Sequence, residues 1–238
     1  MGLEEELWDR IRAEIEELAD RGCYERVSNA ISLGIATKLR VIAAALLGYG
    51  KDPPRRIVDV GCGPGVSTNV LRALYPDAEI IAVDPSFSNL VKAKARVMGA
   101  TACLSSVFEA IPLALSSVDG VVAMFSFRDV TDYVRSLDEA RRVLTPEGRL
   151  VILDLYRPEG PLESLLTAMQ FRVVAPAAGL ALGCGWEGLK FADIYPTVLR
   201  MLTPRQLLRE ALKRFRRAAF VRTPTVVGIL LADNPRAS

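Results

Sequence analysis

Ile57 to Thr68, IVDVGCGPGVST, joins a short apolar run to three alternately spaced glycines, Gly61, Gly63 and Gly65. An apolar run of this length, bounded by a turn signal, indicates a buried strand. Glycine adopts positive φ angles and lets the backbone approach a ligand closely, so such a turn between a strand and a helix can bind an anion or a nucleotide. A tight turn without a ligand would use the same residues, so the glycines alone leave both interpretations open.

After this stretch, short apolar runs alternate with helical patterns. The alternation predicts an α/β fold, a doubly wound and mostly parallel sheet with helices on both faces. A last pair of strands is predicted at Phe220–Val221 and Thr225–Ala232. The other strands are predicted at 57–60, 79–83, 102–104, 120–125 and 150–155, and the helices at 67–74, 87–98, 132–144 and 203–215.

The segments outside this alternation suggest a further division of the chain. Residues 3–20 carry apolar side chains at helical spacing, and the helical pattern continues to a Gly- and Pro-rich stop near residue 50. We therefore predict an N-terminal helical cap at 1–50 and a main domain at 51–238. Residues 157–200, which are apolar and Gly-rich, are predicted to be a lid or substrate-side insertion within that domain.

The composition excludes several kinds of chemistry. The chain has no histidine, which rules out imidazole bases and histidine metal ligands. Its four cysteines are scattered without a CxxC pair, so we predict no metal site and a reduced, cytoplasmic protein. A net charge of +2 gives no case for binding nucleic acid. No segment is predicted to span a membrane, since the apolar stretches contain charged residues or prolines.

The spacing of the glycines narrows the class of ligand. A dinucleotide-binding turn follows G-x-G-x-x-G, but here Val66 occupies the place of the third glycine, which favours a mononucleoside over a pyrophosphate. Asp84 ends the second predicted strand, at a spacing typical of an acid that binds ribose hydroxyls. It could equally cap the helix that begins near Phe87. Together the two features favour an adenosine-type cofactor.

Several segments now allow a comparison with a known family. The sequence resembles class I S-adenosylmethionine-dependent methyltransferases, and within them the C-methyltransferase family of ubiquinone and menaquinone biosynthesis. The most specific segment is FSFRDVTD at 125–132, similar to the family's F-G-L-R-N-V-T-D. The other similar segments are YERVSNAISLG at 24–34, RVLTPEGRL at 142–150, Tyr195, the helix-starting Pro204, and TPTVVGILLA at 223–232.

The resemblance implies a Rossmann-like sheet of seven strands, the last antiparallel, and S-adenosylmethionine as the cofactor. It places the glycines under the methionine part of the cofactor and Asp84 at the ribose. Val107 stands where the family has an aspartate beside the adenine, so adenine contact would rest on the backbone and on stacking. The cofactor-binding residues implied are Asp59, Gly61, Gly63, Gly65, Thr68, Asp84, Val107, Phe108, Met124 and Phe125.

Candidate catalytic residues follow from the chemistry of a site without histidine. Methylation of a quinol carbon needs a phenolate-like ring, and a guanidinium can stabilise the developing oxyanion. Arg128 is our candidate for that role, with Asp129 to orient it or relay a proton and Tyr24 or Tyr195 to contact a ring oxygen. Arg128 and Asp129 could instead be a surface ion pair, and Tyr195 a core aromatic residue.

The function implied is C-methylation of a prenylated quinol such as a demethylmenaquinol. Departures from the family's pattern, among them Asp129 for Asn and Leu199 for Ser, lie largely on the expected substrate side. Methylation of another small molecule or lipid therefore stays open, as does a non-catalytic nucleoside-binding protein. A dehydrogenase is disfavoured by the missing third glycine. The expected partner is a small apolar substrate, with peripheral membrane contact and a homodimer left open.

Overall fold

A computed structural model describes residues 26–27, 35–97, 101–223 and 226–236, which contain a seven-stranded sheet and its helices. The strands are β1 Arg56–Val60, β2 Glu79–Asp84, β3 Thr101–Ser105, β4 Val118–Met124, β5 Leu144–Leu155, β6 Phe215–Arg222 and β7 Val227–Pro235. The α-helices are α1 Ile35–Gly48, α2 Val66–Leu74, α3 Phe87–Arg96, α4 Tyr133–Val143, α5 Pro161–Met169, α6 Ala175–Ala181, α7 Ile194–Arg200 and α8 Pro204–Arg214. Segments of 3-10 helix lie at 108–110, 127–129 and 185–193, and one of π-helix at 170–174 joins α5 to α6.

The sheet has the order β3-β2-β1-β4-β5-β7-β6, in which β7 runs antiparallel to the other six strands. The predicted doubly wound, mostly parallel sheet is therefore confirmed. The strand order reverses between β1 and β4, and parallel α/β sheets bind ligands outside the carboxyl ends of strands at such a point. Asp59 on β1 is in register with Ala82 on β2 and Val122 on β4, so the glycine stretch leaves the sheet at this reversal.

The core lies on both faces of the parallel strands, which are almost fully buried. On one face, Leu39, Ala43 and Leu47 of α1 pack with Ile57 and Leu71. Burial of each aliphatic side chain of this size stabilises the fold by about 1.5–3 kcal/mol. Residues 39–48 fall within the predicted N-terminal cap, but they pack in the core of the sheet because α1 presents apolar residues at helical spacing toward it.

The chain divides into two compact units. Among the described residues, one unit contains those of 39–156 and 202–236, which include the whole sheet, and the other contains 157–201 with 26–27 and 35–38. In the second unit, α5, the π-helix segment and α6 form continuous helical structure from Pro161 to Ala181. Its length and composition would allow it to cross a membrane. The core helix of a soluble protein can have the same length and composition.

Helix 161–181 is apolar on two sides. Thr167, Phe171 and Ala175 are buried on one side. The other side carries large apolar side chains that are exposed, and Trp186 beyond the helix is 82% exposed. The exposed residues of that side are Leu162, Leu165, Leu166, Met169 and Val173, and we call this set the apolar face of helix 161–181.

Two expectations need correction. The helix predicted at 203–215 ends at Arg214, and Arg216 and Arg217 are exposed on β6. Since β6 is the edge of the sheet, its charged side chains oppose pairing with another strand. The cysteines were expected to be reduced, but Cys184 is disulfide-bonded. Cys62 and Cys103 are free.

Candidate functional site

The glycine stretch forms a tight loop between β1 and α2. Gly61, Gly63 and Gly65 all have positive φ angles, of 68°, 54° and 86°, which explains why glycine occupies the three positions. The amides of Gly61 and Cys62 both donate to the carbonyl oxygen of Val83, at 2.7 and 3.1 Å. These bonds tie the loop to β2, and Gly65 forms the N-cap of α2.

The three glycines differ in what surrounds them. A Cβ on Gly61 would lie 2.3 Å from the Cβ of Ser126, and one on Gly65 would lie 2.8 Å from the Cα of Ala93. These two positions have no room for a side chain because protein atoms already fill the space. A Cβ on Gly63 would meet no atom within 4 Å, so the loop is open there. Gly63 therefore marks the point where a ligand can approach the backbone.

Asp59 is completely buried beneath the loop. Its Oδ2 accepts a hydrogen bond from the hydroxyl of Thr68 at 2.7 Å, while its Oδ1 has no hydrogen-bond partner among the described residues. Burial raises the pKa of Asp59 to about 7, and the charge of Asp84 adds to the rise while the Thr68 bond opposes it. A buried carboxylate oxygen without a partner is costly, and a bound donor group would satisfy it.

Asp84, at the carboxyl end of β2, organises the opposite side of the loop. Its Oδ2 accepts from the amide of Gly63 at 2.8 Å, and its Oδ1 accepts from the amide of Ser86 and the side chain of Asn89, at 2.9 and 3.2 Å. The N-cap of α3 is Ser86 itself. These bonds hold the Asp84 carboxylate at the carboxyl end of β2, beside Gly63 of the loop. The ribose role of Asp84 stays a prediction.

Val107 and Phe108 follow β3 next to the end of β2. The amide of Ser106 donates to the carbonyl oxygen of Asp84 at 3.3 Å, which brings this segment beside the predicted ribose position. Phe108 is buried against Phe127, edge to face at 5.4 Å. Val107 is 40% exposed, so the residue predicted near the adenine is available for apolar contact.

At the end of β4, Met124 is buried and Phe125 adopts an unusual backbone conformation. The φ angle of Phe125 is 63°, in the left-handed region that bulky side chains seldom occupy. The guanidinium of Arg40 lies over the ring of Phe125, with its Cζ 4.6 Å from the ring centroid, so the two form a cation–π interaction. Ser126 follows, and its hydroxyl donates to the carbonyl oxygen of Val60 at 2.7 Å.

Arg128, the predicted oxyanion stabiliser, is buried and paired with Asp154. Its Nη1 lies 2.9 Å from Oδ1 of Asp154 and donates to the carbonyl oxygen of Phe125 at 2.8 Å. Asp129 is partly exposed, with Oδ2 3.6 Å from Nη2 of Arg128. The interpretation of the two as a surface pair does not fit, because Arg128 is only 1% exposed. Contact of Arg128 with a substrate oxygen stays a prediction, and it would require the enclosed guanidinium to become accessible.

The rest of the segment 125–132 is held from the side of β3. Oε1 of Glu109 accepts from the amide and hydroxyl of Thr131, at 2.6 and 2.7 Å, and from the amide of Asp132 at 3.1 Å. Burial alone would raise the pKa of Glu109, but these hydrogen bonds outweigh it and lower the pKa below its usual value. Asp132 caps α4. These contacts fix the end of the loop at 125–132.

The roles predicted for Tyr24 and Tyr195 stay predictions. Tyr24 lies outside the described residues. Tyr195 belongs to the other compact unit, where it is almost buried and its ring lies 4.6 Å from the guanidinium of Arg172. That environment is the one expected of a core aromatic residue, the alternative interpretation of Tyr195.

Sequence reasoning missed Arg40, Glu109, Ser126 and Asp154. For Asp154 a signal was present, because it ends the apolar run of β5 just as Asp59 and Asp84 lie near the ends of β1 and β2. Parallel strands bring such residues to one edge of the sheet. Ser126 and Arg40 had no such signal, since their contacts depend on tertiary packing.

The residues of the loop fit the cofactor implied by the sequence. The orphaned Oδ1 of Asp59 calls for a donor, and the α-ammonium group of S-adenosylmethionine is one. Gly63 leaves space for close approach, and the Asp84 carboxylate lies beside Gly63, bound to its amide. This agreement rests on the chemistry of the groups that the chain presents.

Comparisons with known proteins agree with this site. Residues 58–152 match the methyltransferase domain family. The chain is 33% identical over 162 residues to a ubiquinone/menaquinone biosynthesis C-methyltransferase (UbiE) of Syntrophotalea carbinolica, with 66% of each chain covered, so the chain spans about two thirds of the length of that relative. It is 30% identical to a demethylmenaquinone methyltransferase of Thermus thermophilus, with 68% of this chain and 74% of that relative covered.

A solved structure shows the same fold. The plantazolicin methyltransferase BpumL, crystallised with a substrate analogue and S-adenosylhomocysteine, superposes with a TM-score of 0.65 over 97% of each chain at 16% identity. The sheet order and the glycine loop are those of class I S-adenosylmethionine-dependent methyltransferases. The chain belongs to this family, within the group that includes the ubiquinone and menaquinone biosynthesis C-methyltransferases. The resemblance inferred from the sequence is thereby confirmed.

Proposed function

We propose that the protein transfers a methyl group from S-adenosylmethionine to a ring carbon of a prenylated quinol of the demethylmenaquinol type. The observation that carries the proposal is the open loop at Gly63 above the half-satisfied carboxylate of Asp59. The similarity to ubiquinone/menaquinone biosynthesis and demethylmenaquinone methyltransferases supports a quinol as the acceptor. When bound, the cofactor supplies an electrophilic methyl group on a sulfonium.

The chain's own residues bind and orient. Asp59 would accept from the ammonium group of the cofactor, Asp84 from its ribose hydroxyls, and the Val107–Phe108 segment would lie against its adenine. Such positioning accounts for much of the rate in reactions where the cofactor carries the reactive group. Holding the quinol in line with the methyl group is the remaining task of the protein.

Asp129 is the proposed acid–base residue. It is partly exposed beside the enclosed guanidinium of Arg128, so it can exchange protons with solvent while the positive charge stays close. A carboxylate near a quinol hydroxyl would accept its proton as the ring becomes phenolate-like. Arg128 would then stabilise negative charge at the ring oxygen, and Tyr24 is the further candidate for contact with that oxygen.

The acceptor's isoprenoid tail needs apolar surface. The apolar face of helix 161–181 offers such a surface, with five large side chains exposed on one side of a helix and no charged residue among them. We propose that this face contacts the tail, and that peripheral contact with a membrane brings the protein to its acceptor. We further propose a cytoplasmic location, a homodimer and no role for nucleic acid, since the net charge is only +2.

Transfer of labelled methyl from S-adenosylmethionine to a demethylmenaquinol tests the proposal. The expected result is labelled menaquinol from the wild-type protein, with little from Asp84→Ala and a reduced turnover number from Asp129→Ala. Full turnover by Asp129→Ala would remove the carboxylate from the mechanism. Binding of S-adenosylhomocysteine without transfer to the quinol would point to another acceptor, and transfer to no acceptor would favour a nucleoside-binding protein without catalysis.

A further inference from the structure

We propose that Asp154, through its buried ion pair with Arg128, is a positioning residue that sets the geometry of the glycine loop. The inference rests on the proposed function only in assigning that loop to the cofactor. Three structural steps connect Asp154 to Gly61, and each involves residues of the same compact unit.

The first step is the ion pair itself. Asp154 is 0% exposed, and its two oxygens accept from Nη1 of Arg128 at 2.9 Å and from the backbone amide of Arg128 at 3.0 Å. Oδ1 also accepts from the amide of Leu155 at 2.7 Å. Side chain and backbone of Arg128 are thus both fixed relative to the end of β5. A buried pair of this kind costs desolvation, so a role in specifying local geometry is a reason for its presence.

The second step runs from Arg128 to the turn at Phe125. Nη1 of Arg128 also donates to the carbonyl oxygen of Phe125, at 2.8 Å, while the amide of Phe125 donates to the carbonyl oxygen of Leu153 at 2.7 Å. The amide of Phe125 is therefore bound directly to β5, and its carbonyl oxygen is bound to Arg128, which is itself bound to Asp154 of β5. A bulky residue at φ 63° persists only where its surroundings determine the conformation.

The third step links the turn to the loop. Ser126 donates to the carbonyl oxygen of Val60 at 2.7 Å, and its Cβ fills the space in which a side chain on Gly61 would lie. A shift of Ser126 therefore moves the first glycine of the loop or opens a gap beside it. Asp154 reaches the cofactor site through this contact and touches neither the loop nor its ligand.

The test compares two ion pairs of a buried arginine with an aspartate, each of which includes one residue of β5. Asp154 pairs with Arg128 at the carboxyl end of the strand, and Asp233 pairs with Arg149 near its amino end, at 2.5 and 3.1 Å. Asp154→Asn and Asp233→Asn each remove one charge without changing side-chain shape, and both should lower the melting temperature. We expect only Asp154→Asn to weaken binding of S-adenosylhomocysteine, by about tenfold, measured by calorimetric titration of the full chain.

Ser126→Ala keeps the test decisive if Asp154→Asn does not fold. It removes the bond to Val60 but leaves the ion pair intact, so affinity should fall by a few-fold with little change in melting temperature. In turnover assays Ser126→Ala, which leaves Arg128 and its ion pair in place, should raise KM for the cofactor more than it lowers kcat. Equal effects of Asp154→Asn and Asp233→Asn on affinity, or unchanged affinity in Ser126→Ala, would overturn the inference. Absence of binding by the wild-type protein would instead overturn the proposed function.

Discussion

The hydroxyl of Thr68 donates to Oδ2 of Asp59 at 2.7 Å, and the other oxygen of this buried carboxylate has no hydrogen-bond partner among the described residues. The protein therefore keeps a half-satisfied acid beneath its glycine loop. Such an arrangement lowers the stability of the ligand-free protein and is tolerated at sites where binding supplies the missing partner. Asp59 thus connects folding stability to occupancy of the site.

Asp59→Asn should stabilise the ligand-free protein at alkaline pH. Burial holds the pKa of Asp59 near 7, so an unfolded chain ionises this carboxyl above about pH 4 while the folded protein does so only near pH 7. The resulting loss of stability develops as the pH rises from 4 to 7 and is constant above, at about 4 kcal/mol as an upper value. Urea unfolding at pH 4 and pH 8 should give the variant a higher free energy of unfolding than wild type only at pH 8.

With ligand bound, the wild-type protein should be more stable than Asp59→Asn. A positively charged ammonium group beside Asp59 favours the ionised carboxylate, so binding of S-adenosylhomocysteine near pH 6 should release a proton. Titration calorimetry in two buffers with different ionisation enthalpies measures that release. Asp59→Asn should bind more weakly and release less, and equal proton release by both proteins would separate Asp59 from the ligand.

Gly63→Ala should abolish cofactor binding at a small cost in stability. A Cβ at Gly63 meets no protein atom within 4 Å, so only the positive φ is strained, at about 1–2 kcal/mol. The added methyl group would occupy the space through which a ligand approaches the loop. Calorimetric titration with S-adenosylhomocysteine and thermal unfolding measure the two effects.

Gly50→Ala is the matched control for that change. Gly50 has a similar φ of 69° and also no atom within 4 Å of an added Cβ, but it lies outside the loop. It should lose a comparable amount of stability and retain full affinity. Equal losses of affinity in the two alanine variants would mean that strain, and not the space at Gly63, governs binding.

Asp84→Asn should weaken binding in a way that depends on the ribose. If Asp84 accepts from ribose hydroxyls, the variant should lose about tenfold in affinity for S-adenosylhomocysteine, and much less for an analogue that lacks the 2′ and 3′ hydroxyls. Competition titration with both ligands measures the difference. The same loss for both ligands would assign Asp84 solely to holding the amide of Gly63.

Leu166→Ser combined with Val173→Ser should affect long-tailed acceptors selectively. Both side chains lie on the apolar face of helix 161–181, so their loss removes surface for an isoprenoid tail. KM should rise several-fold for a long-tailed demethylmenaquinol and stay unchanged for a short-tailed analogue, as measured in methyl-transfer assays. Leu115→Ser, a similarly exposed leucine of the other unit, is the control and should change neither value.

Most of the sheet could be predicted because its signals are local. The apolar runs of β1, β2 and β4 end at turn residues, and Asp84 follows such a run directly. The strands, the glycine loop and the acidic residue can therefore be predicted from residues that are neighbours in the sequence. β6 was placed too late because Phe215–Arg217 continues a helical pattern. Only its pairing with β7, a distant segment, makes those residues a strand.

The interior of the site could not be predicted in the same way. Arg128 suggested a group that faces a substrate, because an isolated arginine in a loop is usually exposed. Its burial results from Asp154, 26 residues away, and the fit of Ser126 against Gly61 joins segments 65 residues apart. Such contacts depend on the packed structure. The disulfide at Cys184 was missed for a similar reason, since cysteine spacing does not fix pairing.

The position of β7 has a consequence for how the protein is made. This strand, Val227–Pro235, lies between β5 and β6 and pairs with β5 at seven consecutive positions from Arg149 to Leu155. Until residues 227–235 have left the ribosome, β5 has an unpaired edge and β6 has no strand to pair with. Folding of the catalytic unit must therefore wait for the last strand, and a nascent chain held short of Val227 would expose an aggregation-prone edge to chaperones.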